Sequence, residues 1–235
     1  MKYGKTVEAI FLSRPNRFIA EVLIDNIKTT VHVKNTGRCR ELLTEGAKVI
    51  LEDFEGRMGT RKMRYDLISV YKGDVLFNMD SQAPNKVVKE ALERGNIELE
   101  GFGQLKVIRP EMTYSESRFD FYIEDTNGRK GFIEVKGVTL EEKGIASFPD
   151  AKTERGRKHV NELVKAREEG YSAYILFVIQ MEGMKEVRPN IMHDPEFSDA
   201  LINASEKGVN VIAYSCLVGN DTLEIDKRLK VNLNI

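Results

Sequence analysis

The chain has 235 residues, 41% of them hydrophobic and 31% charged, with 36 Lys and Arg against 37 Asp and Glu. That balance excludes a disordered tail or a fibre and fits a globular protein of one large or two smaller domains. No stretch approaches the ~18 apolar residues of a membrane span, and the opening MKYGKTVEAIFLSRPNRF lacks the apolar run of a signal peptide, so a cytoplasmic protein with no membrane partner is expected.

Cys39 and Cys216 are far apart and form no CxxC, which argues against a disulfide framework or a zinc site. Charge is unevenly spread. Residues 1–64 hold 13 Lys and Arg against 8 Asp and Glu, a balance of +5, which leaves 23 against 29, or −6, on the remainder. A local basic excess suits a phosphate-binding face, because phosphate contacts supply most non-specific affinity for nucleic acid. An uneven surface with no such role accounts for it equally well.

Taken in chain order, Thr6 to Leu12, Phe18 to Ile24 and Thr29 to Val33 are short runs rich in β-branched residues, separated by turns such as Arg14-Pro15-Asn16 and Asp25-Asn26. Arg38 to Leu43 reads as a short helix; Ala47 to Asp53 and Lys62 to Tyr71 then continue the strands. Five strands with a short helix between the third and fourth predict an OB-type β-barrel over residues 1–80. After Ser81-Gln82-Ala83-Pro84 the pattern changes. Helices are expected at Asn85 to Arg94, Thr153 to Glu169 and Pro195 to Lys207, each stopped by a glycine, with a continuous apolar strand at Ala173 to Ile179 and a last strand at Val209 to Cys216. Strands alternating with helices predict an α/β domain over residues 81–235, so the chain as a whole is α+β.

The stretch SRFDFYIEDTNGRKGFIEVKGVTL, residues 117–140, sets a carboxylate between two phenylalanines of a strand. Strict alternation places Phe119, Phe121 and Ile123 on one face and Asp120 and Tyr122 on the other; in the next strand Phe132, Glu134 and Lys136 share a face. A three-residue loop at Thr126-Asn127-Gly128 sets Asp120 opposite Glu134, whereas a two-residue Asn127-Gly128 loop sets it opposite Val135. If the carboxylates meet, a divalent metal, Mg²⁺ or Mn²⁺, is the simplest way to keep both ionised, with Lys136 within reach of the same site. That is the equipment of phosphodiester hydrolysis. The Val135 carbonyl can complete a metal shell, and Glu90 on the preceding helix is a candidate third carboxylate. The plainer alternative is a solvated hairpin face with a cross-strand ion pair.

Other features carry less. His32, His159 and His193 show no HExxH spacing, and His159 reads as a helix surface or packing residue. Gly101-Phe102-Gly103 lacks the last glycine of a dinucleotide fingerprint. Arg57, Arg61, Lys62 and Arg64 form a basic patch able to grip phosphate or simply to face solvent. Arg17 beside Phe18 can pair a cation with a stacking surface for a base, although Phe18 more often belongs to a core.

The segments NRFIAEV at 16–22, VKNTGRCREL at 33–42, SRFDFYI at 117–123, FIEVKGVTL at 132–140, FPDAKTERGRKHVNEL at 148–163 and NVIAY at 210–214 resemble the sugar fermentation stimulation protein A family, SfsA, over nearly the whole chain. The resemblance implies an OB-type domain joined to a domain similar to PD-(D/E)XK nucleases, DNA binding, and an association with regulation of sugar metabolism, notably of maltose. By that resemblance Asp120 stands for the motif aspartate, after Phe119 rather than proline, and Glu134 and Lys136 stand for the E-x-K pair. Thr153 and Arg155 fall on the helix that follows, and Arg17, Asn35, Thr36 and Arg38 fall in the N-terminal motifs; with Arg61 and Arg64 they make up the expected nucleic-acid surface. Gln180-Met181-Glu182 departs from the family pattern, which has an arginine and an acid after the glutamine.

Two readings follow: a DNA-binding protein, with RNA as an alternative, that hydrolyses phosphodiester bonds with a divalent metal, or a non-catalytic DNA-binding regulator of sugar metabolism that retains the nuclease fold. Sugar binding by the barrel is a third. A homodimer suits a duplex with two equivalent strands, but no interface signature stands out.

Overall fold

In the computed structural model, which describes residues 1–35 and 37–234, the β-branched runs of the N-terminal third form six strands: β1 (Thr6–Asn16), β2 (Ile19–Ile24), β3 (Ile27–Val33), β4 (Lys48–Asp53), β5 (Tyr65–Lys72) and β6 (Val75–Asn78). They lie in the order 3-2-1-4-5-6. A parallel pairing of His32 with Asp66 and Val33 with Leu67 joins β3 to β5 and closes the first five into the expected OB barrel. Ala20, Val22, Val31, Val33, Val49, Leu51 and Leu67 fill its interior. The sixth strand was not expected. It is four residues long and returns through the Gly73 turn to pair with β5, too short for its own periodicity to be read. Arg38 to Leu43 is a set of turns and not a helix: Cys39 takes a left-handed φ of 45°, which a right-handed helix does not admit.

The second domain runs α1 (Ala83–Arg94), β7 (Leu105–Tyr114), β8 (Ser117–Asp125), β9 (Lys130–Val138), β10 (Glu141–Glu142), β11 (Ile145–Phe148), α2 (Glu154–Glu168), β12 (Ser172–Ile179), β13 (Glu186–Pro189), α3 (Pro195–Glu206), β14 (Asn210–Val218) and β15 (Leu223–Val231). Its nine strands are ordered 10-11-13-15-14-12-9-8-7. The parallel trio β9, β12 and β14 forms the centre, which explains the unbroken apolar run of β12. Helix α1 packs on one face with Phe121, Ile123, Ile133 and Val135. The α2 and α3 side buries Phe132, Val160, Leu163 and Phe197. Helix α1 begins two residues earlier than expected because Pro84 is accommodated in its first turn. Thr153 caps α2 by accepting from the Gly156 N–H at 3.0 Å, and Asp194 caps α3 by accepting from the Phe197 N–H at 3.0 Å. The final strand β15, antiparallel to β14, was missed because its residues, LEIDKRLKV, are mostly polar and partly exposed.

The domains are joined by a buried polar network as well as by apolar packing. The Gln180 side-chain amide donates to Asn78 Oδ1 at 2.9 Å and to the Asp80 carbonyl at 3.2 Å, and the Asn78 N–H donates to the Gln180 carbonyl at 2.9 Å. Asn78 Nδ2 donates to the Tyr3 hydroxyl at 2.9 Å, and Lys34 Nζ meets Asp80 Oδ2 at 2.6 Å. Gln180, just before the point where the sequence leaves the pattern noted above, thus ties the end of β12 to the end of the barrel. No helix among the described residues is long and apolar enough to cross a membrane.

Candidate functional site

The β8–β9 hairpin takes the three-residue loop: Phe121 pairs with Ile133, Ile123 with Gly131 and Glu124 with Lys130, and Gly128 adopts φ 81°. The ladder stops at Phe121, and there β8 departs from regular alternation. Phe119 lies on the α2 side, 5.2 Å from the Phe132 ring and edge-on to His159 at 6.3 Å, whereas Phe121 packs toward α1. The expectation that Phe119 and Phe121 share a face is therefore corrected. Opposite this point β7 carries Pro110, which has no N–H to donate, and Glu111 at a left-handed φ of 55°.

Asp120 occupies the gap that opens. Its Oδ2 accepts from the Val135 N–H at 2.7 Å, a position a neighbouring strand would otherwise fill, and its Oδ1 accepts from Asn85 Nδ2 of α1 at 2.7 Å. The carbonyl of a strand residue points to the same side as its N–H, so the Val135 carbonyl also faces this gap. Glu134 sits one residue back on the α2 face and is only 3% exposed. Its Oε1 accepts from Lys136 Nζ at 2.7 Å and faces Nδ1 of His159, while its Oε2 is buried with no hydrogen-bond partner. A solvated hairpin face is excluded by this burial.

The two carboxylates are tuned in opposite directions. Burial raises the Asp120 carboxyl above its ordinary value, and the Glu134 charge adds to the rise. Burial acts on Glu134 in the same sense, but His159 and Lys136 outweigh it and hold that carboxyl below its ordinary value. Such a divergent pair of acids marks functional sites more often than plain surface ones.

His159 is the residue the sequence reading passed over. It is buried on α2, and only its position, four residues beyond Arg155 on the same helix face, hinted that it could reach the cluster. Glu90 is a correction in the other direction. It lies about 140° around α1 from Asn85 and pairs with the Met1 amino group at 2.9 Å and Arg94 at 3.8 Å, away from the cluster. Among the described residues no group of three or more His, Cys, Asp and Glu is arranged to hold a metal.

A cleft of about 900 Å³ opens between the domains beside the cluster. Asn35, Gly37, Arg38 and Arg40 of the barrel line one wall, and Gly137, Thr153 and Lys152 belong to the other. Asn35 is occupied in holding the loop: its Nδ2 donates to the Met79 carbonyl at 2.9 Å and its Oδ1 accepts from the Gly37 N–H at 2.6 Å. Thr36 lies outside the described residues. Arg17, Arg38 and Arg155 are exposed. Phe18, expected in the core, is 46% exposed, with the Arg17 guanidinium 4.7 Å above its ring.

Arg61 and Arg64 are not a free phosphate-binding patch. Arg64 makes a two-pronged contact with Asp53 at 2.7 and 2.8 Å and also meets Glu55 at 2.7 Å; Arg61 pairs with Asp66 and lies 3.7 Å over the Phe54 ring. Asp53 and Asp66 are buried at the ends of β4 and β5 and require these counter-charges.

An OB barrel docked on a mixed α/β sheet, with a lysine and two carboxylates where the β8–β9 hairpin splays, defines the class: a two-domain protein with a candidate site adjoining its interdomain cleft, which Gly137, the neighbour of Lys136, lines. The model of the SfsA N-terminal OB domain matches residues 12–79, and that of the sugar fermentation stimulation protein RE domain matches residues 82–222. The sugar fermentation stimulation protein homolog of Alkaliphilus oremlandii is 53% identical over 237 residues, covering 99% of each chain. That of Ruminiclostridium cellulolyticum is 51% identical over 233 residues, covering 99% of this chain and 100% of the relative. The structure of Pyrococcus furiosus SfsA in complex with Ca²⁺ is similar over 99% of this chain and 98% of that one, with a TM-score of 0.86 and 28% identity. The chain belongs to the sugar fermentation stimulation protein family.

Proposed function

We propose that the protein binds DNA, or RNA, along its barrel and interdomain cleft and hydrolyses phosphodiester bonds at Asp120, Glu134 and Lys136 with a divalent cation, Mg²⁺ or Mn²⁺. The observation that carries this reading is the buried Glu134 carboxylate, one of whose oxygens has no partner. An ionised oxygen left so is costly, and a hard cation is the partner its chemistry calls for. Asp120 and the Val135 carbonyl offer further oxygen ligands on the same edge, so the residues present fit such an ion. That the Pyrococcus furiosus relative is described with Ca²⁺, a cation of the same hard class, supports the reading.

When bound, the cation supplies Lewis acidity toward a phosphoryl oxygen and lowers the pKa of a water. The chain's own residues prepare the site. Asn85 and the Val135 N–H orient Asp120. His159 and Lys136 hold Oε1 of Glu134 and leave Oε2 without a hydrogen bond, as the atom available to a cation. Lys136, 14% exposed at its side chain, gives one N–H to Glu134 and has further N–H donors to turn toward charge developing on the phosphoryl group. Arg38, Arg40 and Lys152 provide phosphate contacts along the cleft.

The test is cleavage of labelled linear, nicked, branched and single-stranded substrates with Mg²⁺ or Mn²⁺ by purified protein, beside Glu134→Gln and Lys136→Ala. Cleavage by the wild type alone is expected; cleavage that persists in both variants would assign it to a contaminant and sink the reading. One observation favours a non-catalytic DNA-binding regulator of sugar metabolism instead: among the described residues two carboxylates stand at the site, and no group of three or more His, Cys, Asp and Glu is arranged to hold a metal. Binding without cleavage across the panel would select it.

A further inference from the structure

Arg14 is placed unusually for a basic residue on a nucleic-acid surface. Its Nη1 donates to the carbonyls of Gly37 and Arg38, each at 2.7 Å, and its Nη2 to those of Arg17 at 2.7 Å and Asn35 at 2.6 Å. A guanidinium spent on four carbonyls does not grip phosphate. It pins the β1–β2 turn, which carries Arg17 and Phe18, against the segment that lines the cleft. The half-exposed Phe18 ring and its cation are thus carried by a turn fastened to the Asn35–Arg38 segment, part of which lines the cleft.

The cleft itself is narrow. The Gly37 backbone stands so close to Asp150 of the second domain that an added Cβ would lie 3.0 Å from Asp150 Oδ2. A volume of about 900 Å³ is on the scale of pockets for compact ligands, roughly 300–1,000 Å³, and takes a few nucleotides. It does not enclose a duplex, which brings two backbones and their paired bases into a volume of this compact-ligand scale. Its charged walls favour an anion: Arg38, Arg40 and Lys152 line it, and Asp150 is the one carboxylate among the described lining residues.

We infer that the substrate reaches the site as a single strand: an unpaired segment stacks a base on Phe18, lays its phosphates along Arg38 and Arg40, and passes through the cleft to Asp120 and Glu134. This names the substrate class of the nucleic-acid reading above and rests on it. Stacking on an exposed aromatic is indifferent to sequence, since every base has a π-face, and a basic groove tracks the backbone.

The test is fluorescence anisotropy on the full chain in EDTA, with an oligothymidylate of about 16 nucleotides, a blunt duplex of equal length and the same duplex with a single-stranded tail. The strand and the tailed duplex are expected to bind at least ~10-fold tighter than the blunt duplex. Phe18→Ala weakens strand binding by roughly 5- to 100-fold, Phe18→Trp restores it, and neither changes blunt-duplex affinity. Because Phe18 is exposed, both variants should melt with the wild type. Arg38→Ala with Arg40→Ala should reduce the slope of log affinity against log salt by about 1–2.

A blunt duplex bound as tightly as the strand, strand binding unmoved by Phe18→Ala, or an unchanged salt slope would overturn the inference. Calorimetry with Mg²⁺ separates this from the parent reading. Wild type and Phe18→Ala binding the ion equally, with no stacking effect, removes only the single-strand route. A wild type that binds no ion removes the hydrolase, while the strand preference stands on its own measurement.

Discussion

Nδ1 of His159, on α2, meets Oε1 of Glu134, on β9, across the interior of the second domain, and both side chains are almost wholly buried. A hydrogen bond to a buried carboxylate counts for more than one between neutral groups. His159→Ala is expected to cost about 2–3 kcal/mol in denaturant unfolding, since it strips a donor from a carboxylate that cannot recover it from water. His159→Gln, which keeps an N–H donor, should recover part of the loss. A cost below about 0.5 kcal/mol would show that the contact does not stabilise Glu134.

The raised carboxyl of Asp120 has a pH signature. A carboxyl whose folded pKa lies above its unfolded value adds stability below the unfolded value, 3.8, and that stability is lost as pH rises through the folded one. Metal-free Asp120→Asn should therefore melt above the wild type at neutral pH, and the gap should close as pH approaches 3.8. Added Mg²⁺ should reverse the order, because it stabilises only the chain that binds it. Equal melting of the two proteins at neutral pH in EDTA would remove burial as a force on Asp120.

Lys136 separates chemistry from metal binding. Lys136→Ala should lower single-turnover cleavage by about 10²–10³-fold, the effect of losing a pre-organised charge at the reacting group. Calorimetry should still find the cation bound. Loss of both together would make Lys136 a support for Glu134 and not a group acting on phosphate.

Gly137 marks a close approach in the same strand. An added Cβ would lie 2.6 Å from Gln180 Oε1 and 2.8 Å from Pro84 Cγ, so Gly137→Ala pushes on the interdomain network next to Lys136. The expected cost is about 1–3 kcal/mol, and differential scanning calorimetry should show the two domains separating into less cooperative transitions. An unchanged single transition would mean that the interface relaxes freely.

Arg64 and Arg38 should behave as opposites. Arg64→Ala leaves nucleic-acid binding and its salt dependence alone but weakens the fold at neutral pH, because Arg64 is the main reason the Asp53 carboxyl lies far below its ordinary value. The stability it contributes is present above pH 3.8 and lost as pH falls below it. The variant and the wild type should thus converge in acid. If Arg64→Ala lowers DNA affinity as Arg38→Ala does, the barrel patch belongs to the footprint after all.

Much of the fold was legible because it is written in local periodicity. The β-branched runs with turn residues between them specify the barrel strands, the apolar run Ala173 to Ile179 requires a strand covered on both faces, and Thr126-Asn127-Gly128 selects the loop that brings Asp120 toward Glu134. The segments shared with the family named the acids and the lysine. What periodicity does not contain is which side chains from separate elements meet. Strict alternation misplaced Phe119 because the strand breaks its pleat where the ladder ends. Helix spacing could not say that Asn85 and not Glu90 turns to Asp120, that His159 reaches Glu134, or that Arg61 and Arg64 are consumed by buried aspartates. Those pairings arise when layers and domains dock, and a buried charge takes whichever partner the docking brings within reach, so only the tertiary structure decides them.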